Sequence, residues 1–556
     1  MEIRNNIKLS LDQGAAVEAD LAPDLSSASL ARILRVPRAH LLRRSVDARK
    51  RDQLCFIASV GIGAGAGAPA PVVPLEQRDI PRCWGDSRPI VVGMGPAGLF
   101  AALELAEMGL QPLVIERGAP VEQRAKDVAA YQATRVLDTR SNVQFGEGGA
   151  GTFSDGKLTC GKNSPYTAQV LDTFVAAGAP LEILWQAKPH IGTDVLGGVV
   201  TRIRERIVAC GGEVRFFTQL VDLRIEDGVL TGAFLRGEGG DELVEASALI
   251  LAAGHSARDT FEMLKQRGVE LEPKPFSMGV RIEHPQGFID RALYGSAAGH
   301  PALGAADYKI NTHLPSGRGV YSFCMCPGGT VVAASSVEGG RCVNGMSVQA
   351  RDGANANSAL LCGVNPEDFA DCGKEPGDPL AGIAFQRRWE HAAFELGGGD
   401  WTAPGQTVGS FTGRSGKGRK KPVRVTPSYP LGVREADLHG CLPGFVGEAL
   451  EQALPQLGQK LVGFNNPGAF MTGVEARSSS PVRIVRDAES LQATRVAGLY
   501  PCGEGAGYAG GIMSAAIDGI KVASAVIDTM ENTGGRPRGR PPARTRLGVL
   551  TEGPLP

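Results

Sequence analysis

The chain has 556 residues, with 58 lysines and arginines against 59 aspartates and glutamates and a net charge of −1. A length of this kind suits roughly two to four domains and a large core, and the charge balance excludes a strong field drawing it to nucleic acid or to an anionic membrane. Its 11 cysteines are scattered, with no C-x-x-C pair, which excludes a disulfide framework or a zinc site and points to reduced thiols and no metal. The opening MEIRNNIKLSLDQ lacks the apolar core of a secretory signal, and no uninterrupted apolar run of about eighteen residues occurs. A soluble, cytoplasmic protein without a membrane partner is expected, its oligomeric state open.

Residues 1–80 read as a small α/β unit. IKLSL alternates as a strand should, SSASLARILRV offers serine caps before a helical run, and DQLCFIASV reads as another strand. The basic cluster RRSVDARKR, Arg43 to Arg51, reads as a solvated face, with a partner surface as the alternative. The stretch from Gly61 to Pro81 reads as a linker. It contains G-x-G-x-G spacing, but Pro69, Pro71 and Pro74 follow where a helix would have to begin.

The segment PIVVGMGPAGLFAALELAEMGLQPLVIERG, Pro89 to Gly118, carries the strongest signal. Gly93, Gly95 and Gly98 stand in G-x-G-x-x-G spacing between an apolar run and a helical pattern. The first glycine permits a tight turn, the second lets a pyrophosphate approach the backbone, and the third lets helix pack on strand. Leu113 to Ile115 form the next strand, and Glu116 at its end can accept from the ribose hydroxyls of an adenosine. The loop SNVQFGEGGAGTFSDGKLTCGK is too rich in glycine for a buried helix or strand and could lie along a flat ligand. Consecutive strands follow, with a turn at Asp227–Gly228, and EASALILAAGHSARD ends an apolar strand on Gly254.

The middle, 261–470, has strands and loops without a nucleotide signature; YSFCMCPGGTVVAASS reads as strand, turn and strand. The C-terminal YPCGEGAGYAGGIMSAAIDG returns to strand, glycine turn and a helix from about Gly511, and 531–556 reads as a disordered tail. The fold class expected is α/β: a Rossmann-like dinucleotide domain from 86–260 and 471–530, an inserted α+β substrate domain at 261–470 and the small N-terminal unit. Two glycine returns beyond the first favour FAD over a nicotinamide cofactor, because FAD extends past its adenosine and needs further backbone. A helix N-terminus at the second return would stabilise charge on the reduced ring by about 0.3–1 kcal/mol, up to about 2 if partly buried.

The chain resembles the bacterial FAD-dependent dehydrogenases, uncharacterised NAD(P)/FAD-dependent oxidoreductases of the glutathione-reductase-like flavoprotein superfamily. The likeness runs from about Arg43 to Ile527 through VVGMGPAGLFAALELAEMG, NVQFGEGGAGTFSDGKL, KPHIGTD, KPFSMGVRIEHPQ, ARSSSPVRIVRD and YPCGEGAGYAGGIMSAAIDG. It implies FAD contacts at Gly93, Gly95, Pro96, Ala97 and Gly98, with Glu116 and Arg117 at the adenosine. Gly149, Thr152 and Ser154 should lie near the flavin, with backbone at Leu220 near adenine. Gly254, Gly503, Glu504, Gly511, Ile512 and Met513 complete the set.

For the chemistry itself, Glu475 and Arg477 stand two apart, so on a strand they would share a face and could orient an anionic substrate and move a proton; a structural ion pair is the alternative. His190 and His255 are weighed as proton shuttles against structural histidines, and Cys324, Cys326 and Cys502 as packed thiols rather than redox groups. The resulting expectation is an FAD-dependent oxidoreductase moving a hydride between a small organic substrate and flavin N5. An NAD(P)H-dependent monooxygenase or reductase, with NAD(P)H as transient reductant, is one alternative, and a flavin-bearing redox sensor or assembly factor another.

Overall fold

The computed structural model describes residues 1–50, 53–63, 67–83, 88–161, 164–413 and 423–534. Arg51 of the basic cluster and residues 535–556 of the expected tail fall outside them.

Five short parallel strands form one sheet, in the order Leu499–Pro501, Leu249–Leu251, Ile90–Val92, Leu113–Ile115 and Glu213–Arg215. All but the last, an edge strand, are buried along their whole length, as a parallel sheet covered on both faces requires. Val91, Val114 and Ile250 pack with the helical side, whereas Ile90, Val92, Leu249 and Leu251 pack against a three-stranded antiparallel sheet, Gln219–Glu226, Val229–Gly237 and Gly240–Glu245. The turn joining the first two of those strands has Asp227 at φ 49° and Gly228 at φ 77°, the paired positive values of a type I′ hairpin.

On the helical side Pro96–Glu107 and Ile512–Gly534 lie in backbone contact: a Cβ on Gly519 would come 2.1 Å from the carbonyl oxygen of Ala97. Pro96 opens its helix at the first position, with Gly95 as the N-cap, where a missing N–H costs nothing.

The middle of the chain builds a seven-stranded sheet in the order Asn311–His313, Gly319–Cys326, Asn355–Val364, Phe276–Pro285, Phe470–Glu475, Ala403–Thr407 and Val433–Glu435. Phe276, Met278, Val280 and Ile282 face a core shared with the helix Gly444–Lys460, through Leu450, Leu454 and Leu457. Ser277, Gly279, Arg281 and Glu283 alternate with them and are equally buried, a polar face enclosed by protein. Phe470–Glu475 pairs with Phe276–Pro285, Met471 opposite Ile282, so this sheet takes in residues on both sides of position 470. The segment following YSFCMC is a strand, but Thr330–Ala333 pairs with Val343–Met346 rather than folding back on Gly319–Cys326.

The N-terminal unit is a three-stranded sheet, Glu2–Leu9, Cys55–Ile62 and Ala39–Asp47, with helices Leu11–Ala19 and Ala28–Leu34. The expected serine caps are Ser10, in a capping box with Gln13, and Ser27. The basic cluster is not wholly a solvated face. Arg44 is buried between the rings of Phe56 and Trp185, at 4.3 and 4.6 Å, and donates to Gly14 O and Glu18. The described part of the linker is also anchored: Leu75 is buried in the core of the parallel-sheet region, and Arg206 donates to the carbonyls of Arg78 and Asp79.

A Cβ on Gly98 would lie 1.9 Å from the carbonyl oxygen of Gly93, so Gly98→Ala is expected to destabilise the fold by about 3 kcal/mol or more. Denaturant unfolding at neutral pH measures it, and a loss under about 0.5 kcal/mol would contradict the packing described.

Candidate functional site

A continuous cavity of about 620 Å³ runs between the parallel sheet and the seven-stranded sheet. Its volume falls in the range of small-molecule and cofactor sites. One stretch of wall is the turn Gly93–Ala97; the loop Gly149–Gly161 forms a second, Gly254–Ser256 a third, and Cys502, Glu504 and Gly510–Ile512 a fourth. These segments touch: a Cβ on Gly149 would be 2.9 Å from Gly95 Cα, and one on Gly503 would be 2.6 Å from Ala97 Cβ.

Of the residues singled out in the sequence, Gly93, Gly95, Pro96, Ala97, Glu116, Arg117, Gly149, Ser154, Leu220, Gly254, Glu504, Gly511, Ile512, Glu475 and Arg477 line this cavity. Gly98, Thr152, Gly503 and Met513 stand behind the wall. Gly98 packs on Gly93, Thr152 donates to Glu147 O, Met513 is in the core, and the Gly503 amide donates to Asp518 at 2.7 Å. Asp518 itself is held by Arg486, so this pair, which the sequence reading missed, fixes the last glycine turn.

Glu116 does more than end a strand. One of its oxygens accepts from the Met94 amide at 2.8 Å and the other from the Gly118 and Gly146 amides at 3.0 Å, tying the glycine turn to the following loop while the carboxylate still borders the cavity. Arg117 lies over the Phe145 ring at 4.6 Å and pairs with Asp259.

Glu475 and Arg477 do not act on one another. Glu475 ends its strand and takes both contacts from the fully buried Arg281, at 2.5 and 3.1 Å. Burial lifts its carboxyl to about 7, against the pull of that guanidinium. Arg477, just past the strand, grips Glu390 at 2.7 and 2.8 Å, and Arg258 grips the same carboxylate at 2.7 and 3.0 Å. Burial works to raise Glu390, but the two guanidiniums hold it near 2. Arg477 spends its remaining donors on Ser336 at 2.6 Å and Ser256 at 3.2 Å. A signal for Arg281 was present in GVRIEHP, a charged residue inside an apolar strand; Glu390 and Arg258 lie on helices, and nothing beside them in sequence marks them as partners of Arg477.

The histidines separate. His190 donates from Nε2 to Gln349 O, 3.0 Å away, outside the cavity wall. His255 lines the cavity, its Nδ1 3.8 Å from Glu504 and its Nε2 buried without a partner. Burial, then Arg477 and Arg258, push it down to about 3, so it is neutral at pH 7. Burial lifts Glu504 to about 7. Cys324 and Cys502 line the cavity and Cys326 is buried behind, all as free thiols. Among the described residues no cluster could hold a metal ion and no helix is long and apolar enough to cross a membrane.

Residues 275–478 match the family described as FAD-dependent protein, C-terminal domain-like. An uncharacterised protein of Clostridium beijerinckii is 44% identical over 546 residues, 96% of this chain and 99% of that one. Among solved structures, a geranylgeranyl bacteriochlorophyll reductase-like protein of Thermoplasma acidophilum is 12% identical, with 80% of this chain and 79% of that one covered at a TM-score of 0.36. The quinol fumarate reductase of E. coli is 13% identical over 82% of this chain and 72% of that one, with a TM-score of 0.33.

Glu390 is 1% exposed between two guanidiniums, so Glu390→Gln should destabilise the protein by about 3–5 kcal/mol at pH 7. The native carboxyl lies at about 2 against an ordinary 4.5. Its contribution is therefore complete above about pH 4.5 and is lost as pH falls toward 2. Denaturant unfolding of both proteins across that window should show their difference shrinking; a difference independent of pH would count against the triad.

Proposed function

The chain belongs to one family with the Clostridium beijerinckii protein, and we propose that it is a flavin-dependent oxidoreductase that binds FAD along the cavity and oxidises or reduces a small organic substrate at its inner end. The observation carrying this reading is that glycine turns at Gly93–Ala97, Gly254 and Gly510–Gly511 wall a single cavity. The residues fit such a group. A Cβ on Gly95 would meet nothing nearer than 3.8 Å, and Gly254 and Gly511 have nothing within 4 Å, so bare backbone faces open cavity at all of these positions. Helices beginning at Pro96 and Ile512 direct their N-terminal amides to the same space, the arrangement that suits phosphate and developing negative charge.

Glu116 and Arg117 would hold the adenosine, and the Gly93–Ala97 turn the pyrophosphate. Bound there, FAD supplies a two-electron acceptor at N5. Glu504 stands at the wall near its point of half-ionisation at pH 7 and can hold or release a proton for the substrate. His255 is neutral and offers an unpaired Nε2. Arg477, fixed by Glu390, contributes a positive charge that does not titrate. Glu475 is engaged by Arg281, which supports a positioning role rather than direct proton transfer.

The purified protein should be yellow and release FAD on denaturation; a colourless preparation that takes up no FAD would overturn the reading. Gly95→Ala adds a methyl group facing the cavity and no contact under 3.8 Å. It should weaken FAD retention about tenfold or more while costing the FAD-free protein less than about 1 kcal/mol in unfolding stability.

A further inference from the structure

Beyond the glycine turns, one part of the cavity wall is made by side chains from Lys157, Lys188, Asp307, Lys309, Phe323 and Arg351. Its charges do not balance. Asp155 is fully buried and both of its oxygens are taken by Arg351, one from Nε at 2.9 Å and the other from Nη2. Asp307 is taken by Lys188 at 2.7 Å. Two ammonium groups are left over. Lys157 Nζ is a buried atom 3.7 Å from the already committed Asp155, and it makes no hydrogen bond. Lys309 is exposed at the rim and has no ion-pair partner among the described residues.

An ammonium with three donors, withdrawn from water, making no hydrogen bond and sharing its one carboxylate with Arg351, can take an anionic oxygen from outside the protein. Phe323 adds the second requirement: it is a large apolar side chain left 39% exposed on the same wall, a surface that an apolar body would cover.

We infer that this part of the cavity recognises a small organic acid, its carboxylate on Lys157 and its apolar body against Phe323, with Lys309 adding a second positive charge at the rim. This rests on the flavoenzyme reading and names the substrate class for it.

Calorimetry of the protein as purified tests it, with propionate, hexanoate and benzoate as probes and the matching amides as neutral controls. At least one acid should bind about tenfold more tightly than its amide, and its affinity should fall as salt is raised. Lys157→Met should abolish that preference and Lys157→Arg retain it, with FAD content unchanged in both. Equal binding of acids and amides, no binding of any acid, or unaltered acid binding by Lys157→Met would overturn the inference. So would loss of FAD from Lys157→Met, which would place the ammonium on the cofactor instead. Absence of FAD from the wild-type preparation bears on the flavin reading alone, because the heat of acid binding is measured whether or not the flavin is present.

Discussion

The architecture depends on backbone segments approaching more closely than side chains allow. A Cβ on Gly505 would come within 2.6 Å of the Gly254 carbonyl carbon, and one on Gly149 within 2.9 Å of Gly95 Cα. The contact of Gly519 with Ala97 brings the C-terminal helix onto the first helix of the nucleotide fold by the same means. Stretches separated by hundreds of residues are thereby locked into one wall. The glycines fall into two classes with opposite surroundings. Gly98, Gly505 and Gly519 have no room for a methyl group, whereas Gly95, Gly254 and Gly511 have space because they border the cavity. Packing explains the first class, and the second leaves bare backbone facing the cavity.

Where the parallel-sheet region meets the seven-stranded sheet, the junction is fastened by charge. Arg258 follows the strand Leu249–Leu251, Glu390 sits on the helix Ala381–Leu396, and Arg477 follows Phe470–Glu475. Enclosing three charges costs desolvation free energy that their attraction offsets only with good geometry. Here both guanidiniums are bidentate, so the group holds the two regions in one register and leaves a net positive charge beside the cavity. Arg281 and Glu475 repeat the device inside the second sheet, where Asn344, Asn357 and the Cys324 carbonyl complete the arginine's contacts.

The nucleotide fold was legible because its requirements are local. A glycine spacing, a short apolar strand and an acid at the next strand end occur within thirty residues of sequence, and the structure arranges them as that pattern implies. The hairpin at Asp227–Gly228 and the serine caps are legible for the same reason. Pairings that reach across the chain were not. Glu475 and Arg477 look like partners two residues apart, but the strand ends between them and each turns to a residue distant in sequence. Arg44 reads as one member of a basic run, and only the arrival of Trp185 from another unit turns it inward. Lys157 gives no sign in its loop that its ammonium will lack a hydrogen bond, because that depends on Arg351 taking both oxygens of Asp155.

The buried carboxyls show how this enclosure divides structural from chemical roles. Glu390, with two guanidiniums, stays ionised down to about pH 2. Glu475, with one, is lifted by burial to about 7, but its side chain is only 4% exposed and remains clasped by Arg281. Glu504 rises to the same value without any guanidinium bonded to it, and its side chain is 27% exposed on the cavity wall. The neighbouring His255 cannot take up a compensating charge, being held neutral by burial and by Arg477 and Arg258. Of the cavity-wall carboxyls raised to about 7, Glu504 is thus the one not clasped by a guanidinium.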